Sequence, residues 1–169
     1  MIRFTPGVVR PRHLAATVLA IAAMAGALTS NSSASTPTTQ QLTGTWLTTI
    51  TLVNPPPGVP TSFLALNTFF ATGELIASSS QIQPSTRTLA HGGWIRVGNR
   101  RFLTTFTAFR FDAAGVFAGM LRVRRAVTLG TDNRSLTAND VVEMLNPAGV
   151  VVASFQATES GHRVPVTGP

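Results

Sequence analysis

The sequence predicts an all-β protein built as an eight-stranded antiparallel up-and-down meander barrel. After residue 43, short segments rich in Val, Ile, Phe, Thr and Leu alternate with turn sequences that carry Gly, Pro, Asn or Asp. Several segments alternate apolar and polar residues with a period of two, which is typical of an antiparallel sheet with one wet face. A barrel is favoured over an open sheet because consecutive strands that close on themselves leave no exposed edge.

The turn sequences divide this part of the chain into eight strands. The clearest hairpins are "FRFDAAGVFAGM" and "VVEMLNPAGVVVASF", in which a short loop contains a Gly that accepts a positive φ. The sequence "ESGH" at 159–162 also predicts a turn, placed after the last strand. The predicted strands cover residues 45–53, 62–70, 74–82, 93–97, 101–111, 116–129, 136–145 and 149–158.

Alternation predicts which side chains face the interior of the barrel. In the first strand Trp46, Ile50 and Leu52 share one face. In the sixth strand Arg125 falls on the apolar face, so the interior is predicted to contain a cation. The apolar residues on that face of the sixth strand are Phe117, Leu121, Val123, Val127 and Leu129.

The first 34 residues predict a signal peptide for export. The apolar run over 14–28 spans about 22 Å as a helix, short of a hydrocarbon core of about 30 Å. Small residues at 32–34 predict cleavage after Ala34, with Ala27 as the second choice. The protein is therefore expected to be secreted or periplasmic, without stable membrane insertion once the signal is removed. The basic residues that precede the apolar run are Arg3, Arg10, Arg12 and His13.

The composition of the chain after residue 34 predicts a single domain with an ordinary net charge. Residues 35–43 are polar and predict a disordered lead-in, and 44–166 suit a single barrel domain. Removing the signal leaves ten Arg against six acidic residues, a modest excess that does not predict nucleic-acid binding. The absence of Cys excludes zinc–thiolate sites, a thiol nucleophile and lipid attachment at an N-terminal Cys.

Two local motifs give the chain a family resemblance. Gly44-Thr45-Trp46 resembles the Gly-x-Trp signature of lipocalin-like (calycin) barrels. "HGGW" at 91–94 and "FRFDAAG" at 109–115 look like features of small exported bacterial barrels of unassigned function, including the allene-oxide-cyclase-like type. The resemblance implies that Gly44 turns the chain into the barrel floor and that Trp46 plugs one end. It also implies that Arg163 packs across the indole, a contact worth about 0.5–2 kcal/mol.

His91 has two interpretations. If the protein is an enzyme, His91 is the candidate catalytic residue, acting as a general base or hydrogen-bond donor at the barrel mouth. Otherwise it is a loop residue that caps a turn, while Gly92 and Gly93 let the backbone pass close to its neighbour. The spacing of His91 and His162 does not predict a metal site, and no cofactor is expected.

Arg125 must be paired or must meet an anionic ligand if it lies inside the barrel. Glu143 and Asp140 on the seventh strand are its candidate partners. A β-bulge near Arg124-Arg125 is the alternative, since it would turn the side chain outward.

The aromatic residues suggest three functions and leave the choice among them open. In the first, the barrel binds one small, largely apolar molecule, which is the expected partner. In the second, the cavity performs cofactor-independent cyclisation or isomerisation. In the third, the barrel is filled and serves as a structural or interaction module. Oligomeric state is not predicted. The residues predicted to bind the ligand are Phe69, Trp94, Phe106, Phe117 and Arg125.

Overall fold

A computed structural model describes residues 41–168 with the exception of 56 and 82. The expected signal peptide over 1–34, its cleavage after Ala34 or Ala27, and residues 35–40 of the expected lead-in lie outside the described residues. Within the described part, no helix has the length and apolar character needed to cross a membrane.

The described chain forms eight β-strands and one short 3-10 turn at Pro84–Thr86. Most of the strands are rich in the β-branched and aromatic residues that fit a pleated, half-buried surface. The strands are β1 (Gly44–Val53), β2 (Ser62–Phe69), β3 (Glu74–Ser79), β4 (Ala90–Gly98), β5 (Arg101–Phe111), β6 (Phe117–Leu129), β7 (Ser135–Leu145) and β8 (Val151–Arg163).

The strands close into a single barrel in sequence order. Each strand pairs antiparallel with the next, and β8 pairs with β1 in a register that runs from Trp46 opposite Arg163 to Val53 opposite Gln156. This confirms the predicted all-β, eight-stranded antiparallel meander barrel. Closure leaves no unpaired edge among the eight described strands, the advantage on which the prediction was based.

The turn predicted at 159–162 is wrong, because β8 continues to Arg163. Gly161 lies where β8 closely approaches β1. A Cβ atom added at Gly161 would lie 2.5 Å from the carbonyl oxygen of Leu47 and 2.4 Å from Cγ2 of Thr48. The glycine therefore permits β8 to pack closely against β1 at the seam of the barrel, although the composition of residues 159–162 had indicated a turn.

Phe117 does not share the inner face of β6, contrary to the alternation pattern. The β5–β6 register shifts so that Arg110 pairs with Gly119 while Phe111 pairs with Phe117. This bulge inserts an extra residue and turns Phe117 to the outer surface. There its ring lies edge-on to Phe109 and Phe111, at centroid distances of 5.8 and 6.3 Å.

The two ends of the barrel are packed differently. At the end where β1 begins and β8 finishes, which we call the closed end, large apolar side chains fill the interior. Leu42, in the segment before β1, is fully buried there, so the ordered chain begins ahead of Gly44. The opposite end, which we call the cavity end, contains an internal cavity. The largest closed-end residues are Trp46, Phe69, Leu75, Trp94 and Phe102.

Candidate ligand site in the barrel interior

Trp46 and Arg163 form the floor of the closed end. The guanidinium carbon of Arg163 lies 4.4 Å from the centroid of the Trp46 ring, which is a cation–π contact. The indole Nε1 of Trp46 donates a hydrogen bond to the carbonyl oxygen of Leu42 at 2.9 Å. The guanidinium of Arg163 donates to the carbonyl oxygens of Thr43 and of Gln41, the latter at 2.5 Å. The floor thus ties β8 to the segment that leads into β1.

Gly44 belongs to the same floor. Its φ of +119° lies in a region that L side chains rarely adopt. A Cβ atom at this position would also lie 2.6 Å from Nη1 of Arg163. The three residues that the family resemblance assigns to barrel closure are therefore together in space.

The large apolar side chains that fill the closed end form what we call the plug. Phe69 and Trp94, two of the residues predicted to bind a ligand, lie in this plug and do not line the cavity. Trp94 makes edge-on contacts with Phe69 and Phe102, at centroid distances of 6.3 and 5.7 Å. Its Nε1 donates to the carbonyl oxygen of Phe70 at 3.0 Å. Both side chains therefore fill the closed end of the barrel, where their apolar surface is already buried against other protein side chains.

A buried polar cluster lies between the plug and the cavity, centred on Arg125. The Nε atom of Arg125 lies 3.2 Å from Oδ2 of Asp140 and 3.1 Å from Oε2 of Glu159. Its Nη1 donates a hydrogen bond to Oδ1 of Asn67 at 2.8 Å. Its guanidinium carbon lies 4.5 Å from the centroid of the Phe106 ring. All three charged side chains are at most 5 % exposed, so their interactions are little screened by solvent.

Asn67 extends the cluster to the first strand and the last. Its Nδ2 donates to Oγ1 of Thr48 and to Oε1 of Glu159, both at 3.1 Å. Thr48 in turn donates to the carbonyl oxygen of Ala65 at 3.4 Å. The hydrogen-bonded network fixes the rotamers of the side chains that form the inner wall of the site.

The cluster carries one more acid than base. With both carboxyl groups ionised, Asp140 and Glu159 would place two negative charges against the single positive charge of Arg125. Burial raises the pKa of Asp140 to about 7, and the charge of Glu159 adds to the rise while Arg125 opposes it. Asp140 therefore takes up a proton as the pH falls through neutrality.

The structure pairs Arg125 with Asp140 and not with Glu143, the other partner that the sequence offered. Glu143 instead faces the outer surface. Its Oε2 lies 2.6 Å from Nε of Arg122, and its Oε1 lies 2.8 Å from Nη2 of Arg124. The predicted alternative of a bulge at Arg124-Arg125 is wrong, since the β6–β7 register is continuous there. Sequence reasoning missed Glu159 because the surrounding "ESGH" resembled a turn.

The cavity above this cluster has a volume of about 390 Å³. Phe106, Arg125 and Asp140 reach its inner end. The remaining wall is predominantly apolar, so a ligand there would bury hydrocarbon surface. A barrel filled along its whole length would have no such space. The apolar side chains of this wall include Ile50, Phe63, Leu121, Val142, Met144 and Phe155.

His91 and Phe117 do not reach the cavity. His91 is exposed on the outer face of β4, opposite Thr107 of β5. Gly92 beside it packs tightly against β5, since an added Cβ would lie 2.6 Å from Cβ of Phe106. Of the five residues predicted to bind a ligand, Phe106 and Arg125 are brought together at the cavity. Among the described residues, no three His, Cys, Asp or Glu side chains are placed to hold a metal ion.

The fold and the site define the class of protein as a closed β-barrel with an internal cavity. The chain matches no protein-family model, and no curated protein matches it significantly. Its strand pairing shows a closed eight-stranded antiparallel barrel with a buried interior, an architecture compatible with the lipocalin-like fold.

Proposed function

We propose that this protein is an exported carrier that binds one small, largely apolar molecule inside its barrel. The observation that carries the proposal is the cavity of about 390 Å³, which has apolar walls and a polar inner end. Small-molecule sites typically occupy about 300–1,000 Å³ and combine apolar walls with a few placed polar groups. Export and a secreted or periplasmic location belong to the proposal on the strength of residues 1–34.

Kinship with lipocalin-like barrels is part of the same proposal. Its support is the Gly44-x-Trp46 motif at the start of β1, with Arg163 stacked on the indole. The closed eight-stranded barrel agrees with this assignment.

At the inner end of the cavity, the polar contact available to the ligand is a hydrogen bond and not an opposite charge. Arg125 is matched by two carboxyl groups, which leaves it no net positive charge to offer. The oxygens of Asp140 accept no well-formed hydrogen bond from the described protein groups, although Oδ2 lies within ion-pair distance of Arg125. A hydroxyl or amide at the inner end of a ligand would supply the missing donor.

Native mass spectrometry of residues 35–169, purified from an exporting host, tests the proposal. The native mass is compared with the denatured mass of the same sample. A discrete adduct that is lost on denaturation, and whose identity is an apolar small molecule, is the expected result. A bare protein that also takes up no neutral apolar fluorophore would contradict ligand binding.

A second function, cofactor-independent acid–base catalysis of cyclisation or isomerisation, is favoured by one observation. Asp140 lines the cavity, and its raised pKa of about 7 suits a group that both accepts and donates protons near neutral pH. Ligands extracted from the wild type and from Asp140→Asn distinguish the two functions. An enzyme is expected to yield different isomers from the two proteins by chromatography, whereas a carrier yields the same compound from both.

A further inference from the structure

Two arginines stand together at the cavity end of the barrel. Arg87 lies in the connection between β3 and β4, and Arg110 lies near the end of β5. The two residues pair across an isolated antiparallel bridge, and both side chains line the cavity. The cavity therefore has a positively charged rim at the end opposite the plug.

Neither arginine has a carboxylate partner among the described residues, which include all six acidic residues of the sequence. Asp112 is the acid nearest in sequence to Arg110, and its Oδ1 accepts hydrogen bonds from the backbone of its own turn. The remaining acids are engaged elsewhere: Asp140 and Glu159 with Arg125, Glu143 with Arg122 and Arg124, Glu74 with Thr72, and Asp132 with the turn at 132–135.

Arg87 is held in this position although burial disfavours its charge. The side chain is half-buried, and its Nη2 donates a hydrogen bond to Oγ of Ser79 at 2.7 Å. Burial lowers the pKa of the Arg87 guanidinium. A partly desolvated cation beside a second cation is unfavourable in the absence of an anion, and an anion placed between them would relieve both effects.

We propose that Arg87 and Arg110 form an anion-binding site at the rim, and that the ligand of the cavity is an amphipathic anion. This inference rests on the proposed function and defines its substrate class. The apolar body of the ligand lies in the cavity, and its single anionic group, a carboxylate or a similar oxyanion, lies between the two guanidinium groups. The planar guanidinium presents paired donors that match such an oxyanion.

The inner end of the cavity sets the orientation of the ligand. An anion placed there would face the buried carboxyl groups of Asp140 and Glu159, and Arg125, the one cation of the cluster, already pairs with both. Like charges in a buried site repel strongly because solvent screens them little. The anionic group therefore belongs at the rim.

Calorimetric titration with decanoate and with decan-1-ol tests the inference, because the two ligands share a chain and differ in the head group. We expect the wild type to bind decanoate at least about tenfold more tightly than decan-1-ol. Arg87→Gln and Arg110→Gln should each remove most of this preference, because the affinity for decanoate should fall much more than the affinity for decan-1-ol. Arg101→Gln is the matched control, since it deletes an exposed arginine at the closed end and should preserve the preference.

Salt provides a second measurement that needs no variant. The preference of the wild type for decanoate should shrink as ionic strength rises toward about 1 M, where the screening length falls to about 3 Å. A preference that is absent, that is insensitive to salt, or that survives both glutamine substitutions overturns the rim site. Binding of decan-1-ol without a preference for decanoate would leave the proposed function standing, whereas binding of neither ligand would overturn both.

Discussion

The Nε atom of Arg125 lies 3.1 Å from Oε2 of Glu159, although β7 separates the strands that carry these two residues. The contact therefore crosses the barrel interior instead of joining neighbouring strands. With Asp140 on β7 and Asn67 on β2, it links separate parts of the wall at one level. The cluster lies between the plug and the cavity. It therefore connects separate strands of the barrel wall and also forms the inner end of the ligand site.

Replacing Arg125 by Met should destabilise the protein by about 3–5 kcal/mol, because two buried carboxyl groups lose their cation. Chemical denaturation measures the change in the free energy of unfolding. Arg124→Met is the matched control, since the side chain of the adjacent arginine is 55 % exposed in its pair with Glu143. The control should lose at most about 1 kcal/mol. Equal losses in the two variants would contradict the buried cluster.

The raised pKa of Asp140 predicts that stability falls as the pH rises. The folded protein holds the Asp140 proton up to a pKa of about 7, whereas the unfolded chain releases it near pH 4. Folding therefore binds a proton in this window, and the free energy of unfolding should decrease from about pH 4 to about pH 7 and then level off. Denaturation curves across this range measure the effect, and Asp140→Asn should flatten it.

Glu143→Gln is the control for that pH profile because its shift has the opposite sign. The hydrogen bond from Arg122 lowers the pKa of Glu143, so its contribution is present above the unfolded pKa and disappears only in more acidic solution. The substitution should alter the acid limb and leave the decline toward pH 7 unchanged. A profile that is flat in the wild type over this window would show that Asp140 ionises normally.

The closed end should depend on Arg163. Arg163→Gln removes the cation above Trp46 together with the hydrogen bonds to the segment before β1, and should cost about 1–3 kcal/mol. Thermal unfolding checks this loss. Arg134→Gln deletes an exposed arginine at the same end of the barrel and is expected to be nearly neutral. An equally small effect at Arg163 would mean that the indole plugs the barrel without help from the cation.

The barrel seam should not tolerate a side chain at position 161. Gly161→Ala places a Cβ atom within 2.7 Å of three atoms of Leu47 and Thr48, including backbone atoms, so β8 must move away from β1. The expected loss of stability is about 1–3 kcal/mol. Ser160→Ala, one residue away on the exposed face, should change little. Chemical denaturation measures the stability of both variants. Equal denaturation midpoints for the wild type and both variants would contradict the close contact between β8 and β1.

Much of the architecture could be predicted from the sequence because local chemistry determines it. Turn residues separate the strands, and alternation places Trp46 and Arg125 inside. Alternation predicts a face only while the register is continuous, however. The bulge in the β5–β6 hairpin therefore reverses Phe117. Gly119, whose φ is +110°, lies at this bulge and is the residue type that could have indicated it.

The composition of the ligand site was harder to predict for a different reason. Glu159 and Asn67 join Arg125 through closure of the barrel, which brings together residues that are 92 positions apart. Gly161 is compatible with either a turn or a close strand contact, so the sequence did not reveal that β8 continues to Arg163. The division of the aromatic residues between plug and cavity depends on their height along the barrel, and strand alternation does not encode height.

Titration with the neutral fluorophore N-phenylnaphthylamine tests the central claim, that the cavity binds an apolar molecule, most directly. It compares the wild type with Ala77→Phe, which adds a ring to a buried wall position, and with Ala126→Phe, which adds the same ring to the exposed face of β6. Circular dichroism confirms that each protein is folded. Saturable one-to-one binding by the wild type and Ala126→Phe, lost in Ala77→Phe, is the predicted result. No saturable binding by the wild type, or undiminished binding by a folded Ala77→Phe variant, would contradict the claim.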